Sequence, residues 1–160
     1  MSWWPFGRQK EKSASPPSVE LTEDERQECE SFIRSMTKAE GGEYYFRKEV
    51  ADSVQRSFIA MCLIGRAQRF AILADPQKPE LVDEACRAGA KACSIYPLSV
   101  NFYGFACVLE QLRKLDESKA MFKEFLRQRD LESSPDPVQQ SVLRAQDIAG
   151  MTRHARQQLE

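Results

Sequence analysis

Cysteine is the residue type with the most chemistry to offer in this chain, and it occurs five times, as Cys29, Cys62, Cys86, Cys93 and Cys107. A bound metal ion needs several Cys or His ligands at close spacing, and neither a C-x-x-C nor an H-x-x-x-H pattern occurs. Cys86 and Cys93 share a helix face because they lie seven residues apart, but no third ligand accompanies them. The sequence therefore predicts small packing residues at both positions, with no metal and no cofactor bound.

Candidate catalytic residues are equally few. A cysteine nucleophile needs a neighbouring base, and His154 is the only histidine. It could act as that base only if the end of the chain folded back towards Cys107. A glycine-rich phosphate loop is not expected, because such a loop follows a β-strand and no segment alternates as a strand does. We expect no catalytic residues, and a thiol-dependent enzyme is the least favoured function.

The size and composition are those of one globular domain. The chain has 160 residues, of which 42% are hydrophobic and 29% are charged, and its net charge is -1. A near-neutral chain has no overall field that would attract it to nucleic acid. No run approaches the ~20 apolar residues that span a bilayer, and an odd number of cysteines in helical patterns is typical of reduced thiols. We expect a cytoplasmic protein whose partners include no nucleic acid and no small-molecule substrate.

The first part of the chain divides into a tail and a helix. Residues 1–19 are predicted to be a flexible tail because they are rich in Ser and Pro, and a single all-α domain follows over residues 20–160. Thr22 and Glu25 have the spacing of a capping box, with Leu21 before it as a staple residue. The apolar face of this helix comprises Cys29, Phe32, Ile33 and Met36, and a glycine pair at 41–42 ends it. Acidic residues crowd positions 20–30, as a helix dipole favours.

Two further helices are predicted in the middle of the chain. The first covers residues 45–74, and its apolar run at 58–64 indicates a central element buried on every side. Prolines at 76 and 79 separate it from a helix over residues 80–95. The inner surface of that helix is small and comprises Ala85, Ala88, Gly89, Ala92 and Cys93. Small side chains let two helix backbones approach closely, which predicts a tight helix pair.

Three helices are predicted in the C-terminal half. Ser99 is placed to be the N-cap of the first, Asp116 begins the second, and the third covers residues 138–159. Their inward residues are Phe102, Phe105, Ala106, Leu109, Leu112, Phe122, Phe125, Leu126, Val142, Ala145, Ile148, Ala149 and Thr152. The chain is therefore predicted to be all-α, with antiparallel helical hairpins joined by short turns.

Residues 99–130 also show the spacing of a helical repeat. The matching positions are Phe102, Phe105, Ala106, Leu109, Leu115, Phe122, Phe125 and Leu126. In its helix lengths and aromatic spacing this segment resembles the tetratricopeptide repeat family, and the preceding segment from residue 59 matches in part, through Ala85, Ala92 and Pro97. The resemblance implies one good and one degenerate repeat, stacked as a short array that the first and last helices cap.

Three features depart from the family's pattern. Its small residue in the second helix is Ser118 here, which is still small. Its glycine before the inter-helix turn is Arg113, and the first repeat carries an insertion around residues 75–79.

The resemblance implies a binding groove lined by the first helix of each hairpin. It places Val100, Tyr103, Cys107, Glu110 and Gln111 there, with Cys62, Arg66 and Arg69 as equivalents in the degenerate repeat. Tyr103 and Cys107 occupy two positions where some family members have the Lys and Asn that clamp a C-terminal carboxylate. The expected partner is therefore a helix or extended segment of another protein with apolar and acidic residues. The alternative is that the protein fills the groove itself, with Tyr103 packed against the long second helix.

The N-terminal aromatic residues Trp3, Trp4 and Phe6 are a second candidate contact. Such side chains in a flexible tail leave water only by docking, whether on a partner, on the domain or on a membrane. Tryptophans beside basic residues are common at membrane interfaces, and bases follow at positions 8, 10 and 12. Peripheral membrane contact through the tail therefore stays open beside the cytoplasmic location.

These features predict a non-enzymatic protein–protein interaction module that acts as an adaptor or assembly factor. A small tetratricopeptide-type chaperone for secretion or assembly substrates is the alternative, because such chaperones use similar repeats at similar length.

Overall fold

A computed structural model describes residues 21–39, 52–132 and 145–160 of the chain. This described part consists of six α-helices and contains no β-strand. The helices are α1 (Glu23–Ala39), α2 (Asp52–Leu73), α3 (Pro79–Ile95), α4 (Ser99–Gln111), α5 (Leu115–Leu131) and α6 (Ala145–Leu159). The all-α prediction is confirmed.

Successive helices pack on each other as stacked hairpins. α2 packs against α3 and α4 packs against α5, in an antiparallel manner, while contacts of α4 with α2 and α3 join the two hairpins. α1 packs on α2 at one end and α6 packs on α5 at the other. The predicted hairpin stack with a flanking helix at each end is therefore confirmed.

Most helix boundaries follow the predicted breaks. α3 begins at Pro79 and ends at Ile95, whose successor Tyr96 is extended and precedes Pro97. α5 begins at Leu115, one residue earlier than predicted. The predicted tail at 1–19, the glycine pair at 41–42 and the predicted helix starts at 45 and 138 lie outside the described residues.

The start of α4 is capped by a distant residue. Ser99 is the first residue of α4 and Leu98 is its N-cap, so the prediction that Ser99 is the N-cap is wrong. The backbone N–H and the hydroxyl of Ser99 donate to the two carboxylate oxygens of Glu132, at 2.7 and 2.9 Å. A carboxylate at a helix N-terminus is favoured by the helix dipole. Glu132 directly follows α5, so an acid from the end of this hairpin caps its beginning.

α2 is the central helix, but it is not buried on every side. Phe58, Ala60 and Leu63 are buried, and α2 contacts α1, α3 and α4. Ile59 and Met61, in the same apolar run, are half-exposed. The prediction of burial all round is therefore wrong, because three neighbouring helices leave part of the circumference of α2 uncovered.

The α4–α5 hairpin contains three large side chains that are fully buried. Phe105, Phe122 and Phe125 are fully buried, as their spacing predicted. Ser118 of α5 is the small residue of the second helix of this hairpin. Its hydroxyl donates to the Ala106 carbonyl of α4 at 2.9 Å. A small residue at 118 therefore lets the two helices approach closely and gives its own buried hydroxyl an acceptor.

The small face of α3 receives an aromatic ring of α4. A Cβ atom added at Gly89 would overlap the ring of Phe105. A second close approach lies nearby, because a Cβ at Gly104 of α4 would stand 2.8 Å from Ile64 Cγ2 of α2. The predicted tight packing is thus present. Phe105 occupies the space that a side chain at position 89 would fill.

The inward face of α6 differs from the predicted one. Ala149, predicted to face inward, is exposed, whereas Ala155 is buried and Met151 and Leu159 pack against the core. Met151 and Leu159 bury more apolar area than Ala149, so they set the rotation of the helix. The side chains of Val142 and Ala145, also predicted inward, lie outside the described residues.

The turn between α4 and α5 contains a residue with a left-handed backbone. Arg113 has φ of 63° and is the only non-glycine residue with positive φ in the described ranges. It occupies the position where the tetratricopeptide pattern has glycine. An L-residue in this conformation brings its Cβ too close to the following carbonyl oxygen.

We predict that Arg113→Gly stabilises the protein. Glycine removes the penalty for a left-handed backbone, about 1–2 kcal/mol. Glycine also makes the unfolded chain more flexible, which offsets about 0.4–1 kcal/mol of that stabilisation. The control is Lys119→Gly at an exposed position inside α5, which should lose about 1 kcal/mol. Urea denaturation measures both. A loss of stability in both variants would contradict the strain at Arg113.

We also predict opposite effects for two Gly→Ala substitutions in helices. Gly89→Ala should destabilise the protein by about 1–3 kcal/mol, because the new methyl group would displace the Phe105 ring. Gly65→Ala should be neutral or stabilising by up to about 1 kcal/mol, since a Cβ there would meet only Arg69 Nη1, at an ordinary 3.8 Å. Equal effects in thermal unfolding would show that α3 and α4 are not in close contact.

Candidate functional site: a pocket between the first two helices

The three predicted groove residues of α2 are gathered beside α1. Arg66 Nη1 donates to Glu28 Oε2 of α1 at 2.6 Å, and Arg69 pairs with the other carboxylate oxygen of Glu28. The Arg66 guanidinium also lies over the Phe70 ring, 5.0 Å from its centroid. Cys62 is buried one turn away. α1 therefore lies across the surface on which these residues were predicted to meet a partner.

The two arginines differ in how much they expose. The Arg66 side chain is 20% exposed and that of Arg69 is 59% exposed. Arg66 is thus largely occupied by Glu28 and Phe70, within the protein. Arg69 keeps donors in solvent, where an acidic group from outside could reach them.

The start of α1 is held by the predicted capping box and by a charge from α3. The Glu25 backbone N–H donates to Thr22 Oγ1 at 3.2 Å, and the Thr22 N–H donates to Glu25 Oε1 at 3.0 Å. Lys91 Nζ donates to the same Glu25 oxygen at 2.6 Å. Burial acts to raise the pKa of Glu25, but hydrogen bonds from Lys91 and Thr22 outweigh it and lower that pKa.

This arrangement predicts a stabilising contribution that depends on pH. Because the pKa of Glu25 is lower in the folded state, ionised Glu25 stabilises the fold at pH values above its unfolded-state pKa of about 4.3. That contribution is lost as pH falls through the folded-state pKa. Glu25→Gln should cost about 1–3 kcal/mol at neutral pH, and the difference should vanish in acid.

Glu23→Gln is the matched control for Glu25→Gln. Glu23 lies in the same helical turn but is exposed. Its substitution should cost at most about 1 kcal/mol through the helix dipole. Urea denaturation of both variants at several pH values measures the effect. Equal losses, or a Glu25→Gln loss that persists in acid, would contradict the Lys91 contact.

The predicted groove residues of α4 meet α6 instead. The Tyr103 hydroxyl lies 2.7 Å from His154 Nδ1, and the rings of Tyr103 and His154 pack edge to face. Glu110 Oε2 lies 3.4 Å from His154 Nε2. Thiol catalysis would need His154 to fold back towards Cys107. His154 does lie against α4, where it contacts Tyr103 and Glu110. Of the other predicted residues, Val100 is half-buried and Gln111 is exposed.

Burial favours the neutral forms of Cys107 and Tyr103, two titratable groups of α4. Burial raises the pKa of Cys107 to about 11, despite a hydrogen bond with Tyr103 that lowers it. Burial likewise raises the pKa of the Tyr103 phenol, and the hydrogen bond with Cys107 adds to this. Since the thiolate is the nucleophilic form of cysteine, this raised pKa makes Cys107 a weaker nucleophile than an ordinary cysteine.

A pocket of about 390 Å³ opens between α1 and α2. Its lining residues are Glu28, Ser31, Phe32, Ser35, Met61, Cys62, Gly65 and Arg69. Two of the predicted groove residues, Cys62 and Arg69, are among them. Phe32 and Met61 supply apolar walls, and Glu28 and Arg69 supply one charge of each sign.

Sequence reasoning missed the contribution of α1 to this pocket. Phe32 was placed on the apolar face of α1 and Met61 within the apolar run of α2, so both were interpreted as core residues. Glu28 was interpreted as one of the acids that suit a helix N-terminus. One signal was available: Glu28 precedes Phe32 by four residues, so both lie on one side of α1.

A second cavity, of about 410 Å³, lies along α5. Its lining residues are Pro97, Phe102, Ala120, Met121, Glu124, Arg127 and Gln128. None of the predicted site residues is among them. Glu124 accepts from Arg127 and Gln128, which lie on its own helix, and the Arg127 contact lowers the pKa of Glu124. The cavity between α1 and α2 is the stronger candidate because the sequence independently predicted two of its residues.

The described ranges contain neither a candidate metal site nor a candidate membrane span. No group of three or more His, Cys, Asp or Glu side chains there could hold a metal ion. None of the helices in those ranges is both long enough and apolar enough to cross a bilayer. Trp3, Trp4 and Phe6 lie outside these ranges, so their docking stays a prediction.

No protein-family model, curated protein or solved structure matches this chain. The resemblance to tetratricopeptide repeats therefore depends only on the sequence pattern of residues 59–130.

Proposed function

We propose that the protein is a non-enzymatic interaction module, an adaptor or assembly factor, that binds a segment of another protein in the pocket between α1 and α2. The observation that carries this proposal is the pocket itself, which combines two apolar walls with a half-exposed arginine. Its volume of about 390 Å³ suits a few side chains of a partner, at the lower end of the ~300–1,000 Å³ typical of ligand pockets.

The fold supports an interaction role through its likeness to tetratricopeptide arrays. Two helical hairpins are stacked between flanking helices, as such arrays are. Arg113 has positive φ where the family has glycine, and Ser118 is buried where the family has a small residue. The backbone of Arg113 and the burial of Ser118 thus support the resemblance on which this part of the proposal draws.

The pocket lining favours a partner segment with an apolar residue beside an acidic one. An aliphatic or aromatic side chain would be removed from water between Phe32 and Met61. An adjacent carboxylate would compete with Glu28 for the exposed guanidinium of Arg69. This is the apolar and acidic character expected from the sequence, shifted from the α4 end of the predicted groove to the α2 end.

The α4 end is less suited to a partner. Tyr103 contacts His154, Phe122 and Phe125, so the ring is engaged by α5 and α6. The raised pKa of Cys107, about 11, disfavours thiol chemistry at this end. Gln111 is exposed and Val100 half-exposed, so they remain available to a long partner segment.

Peptides selected by phage display against the full chain test this proposal. We expect the selected peptides to contain an acidic residue next to a large apolar one. Met61→Lys puts a charge into the apolar wall, and Arg69→Ala removes the exposed guanidinium. Each should weaken binding of a selected peptide at least tenfold by fluorescence anisotropy, since hot-spot residues contribute ~2 kcal/mol or more.

The matched control is Leu131→Lys, at a 65% exposed apolar residue at the end of α5. It should leave peptide affinity unchanged, and thermal unfolding should show that all three variants are folded. Equal affinity for the original chain and for Met61→Lys would refute the pocket as the binding site. Selective loss in Leu131→Lys would place the site on α5 instead.

A further inference from the structure

Two buried thiols meet between α1 and α2. Cys29 of α1 and Cys62 of α2 are 2% and 4% exposed, and their side chains hydrogen-bond to each other. Both belong to one small apolar cluster with Ala60, Leu63 and Ala92. The thiols of Cys86 and Cys93 lie in the other core cluster, where Cys107 packs at the edge. Cys29 and Cys62 are therefore two buried cysteines that share one cluster across the interface of α1 and α2.

We propose that Cys29 and Cys62 form a reversible oxidation site, at which a hydroperoxide converts the two thiols into a disulfide that joins α1 to α2. The proposal rests on the place of the two cysteines in one buried cluster where α1 packs on α2, and on the pocket that Cys62 lines. It does not depend on the proposed binding function, although Cys62 lines the same pocket.

The surroundings of the pair favour ionisation of one thiol. The hydrogen bond from Cys62 lowers the pKa of Cys29, and the cations Arg66 and Lys91 act in the same direction against burial and Glu25. The same hydrogen bond, together with burial, raises the pKa of Cys62. Of the two thiols, Cys29 is therefore the one that ionises more readily, and the thiolate is the form that attacks a peroxide.

The pocket gives a small oxidant a route to the pair. Cys62 lines its wall, and the volume of about 390 Å³ far exceeds that of a peroxide molecule. α1 contacts the rest of the described fold mainly through α2, so a small displacement of α1 also opens the way to Cys29. Cys86 and Cys93 are buried in the core and line neither of the two pockets described above.

The oxidation consists of two steps that balance in atoms and electrons. The Cys29 thiolate attacks one oxygen of hydrogen peroxide, the O–O bond breaks, and a sulfenic acid and hydroxide form. The Cys62 sulfur then attacks the sulfenic sulfur, its proton goes to the leaving oxygen, and the S–O bond breaks to release water. The hydroxide takes up the proton that Cys29 released on ionisation, so the two thiols lose two electrons in total and the peroxide is reduced to two water molecules. A dithiol reductant reverses the result by thiol–disulfide exchange.

Hydrogen peroxide added to the native full chain tests the proposal. Peptide mapping by mass spectrometry, after alkylation of remaining thiols, should find a peptide pair joined through Cys29 and Cys62, with two thiols lost per chain. Dithiothreitol should restore both thiols. Iodoacetamide at neutral pH should label Cys29 before Cys86 and Cys93, because the pKa of Cys29 is lowered, whereas burial raises those of Cys86 and Cys93, and because Cys62 beside it lines the pocket.

Two variants separate this site from general oxidation of cysteines. Cys29→Ser should slow peroxide consumption at least tenfold and abolish the disulfide, whereas Cys107→Ser should change neither. Cys62→Ser should still consume peroxide but stop at the sulfenic acid, which dimedone traps. Thermal unfolding of each variant shows whether it is folded, and the alkylation order in the unaltered chain needs no variant at all.

Three outcomes would overturn the proposal. The first is a disulfide between other cysteines, and the second is formation of the Cys29–Cys62 disulfide only after urea has unfolded the chain. The third is equal peroxide consumption by Cys29→Ser and Cys107→Ser. Loss of peptide binding in Met61→Lys has no bearing on any of these readouts, so failure of the oxidation site and failure of the binding pocket are distinguishable.

Discussion

The contact between Phe105 and the bare backbone at Gly89 is the constraint on which the stacking of the hairpins depends. The phenylalanine ring occupies the volume that any side chain at position 89 would need. α3 belongs to one hairpin and α4 to the other, so this contact joins the two. Phe105 is also fully buried in the same cluster as Phe122 and Phe125, which extends the contact into α5. Protein interiors are packed densely, so a shift at this point would be felt throughout the cluster.

The attachment of α1 is of a different physical kind. It is fastened by directional contacts: Glu25 with Lys91, Glu28 with Arg66, and the paired thiols of Cys29 and Cys62. Such contacts fix the position and orientation of the helix. The pocket lies at this interface, between α1 and α2.

Elements with strong apolar periodicity could be predicted from the sequence, and long-range polar contacts could not. The stripe of α4 and the aromatic residues of α5 lie where their spacing placed them, because burying a Phe side chain outweighs competing local preferences. α6 was predicted in the wrong rotation, since alanine at 149 carries too little apolar area to decide which face turns inward. Spacing along a chain says nothing about partners 38 residues away, which is the separation of Glu28 and Arg66.

The cap that Glu132 places on Ser99 makes the second hairpin complete in itself. Residues 99–132 include two helices, the turn between them and the carboxylate that accepts from the first backbone N–H of α4. A copy of this segment, inserted in tandem, would bring this hydrogen bond with it. The hairpin thus has the properties of a transferable module, from which longer arrays could be assembled by duplication without redesigning the ends of the helices.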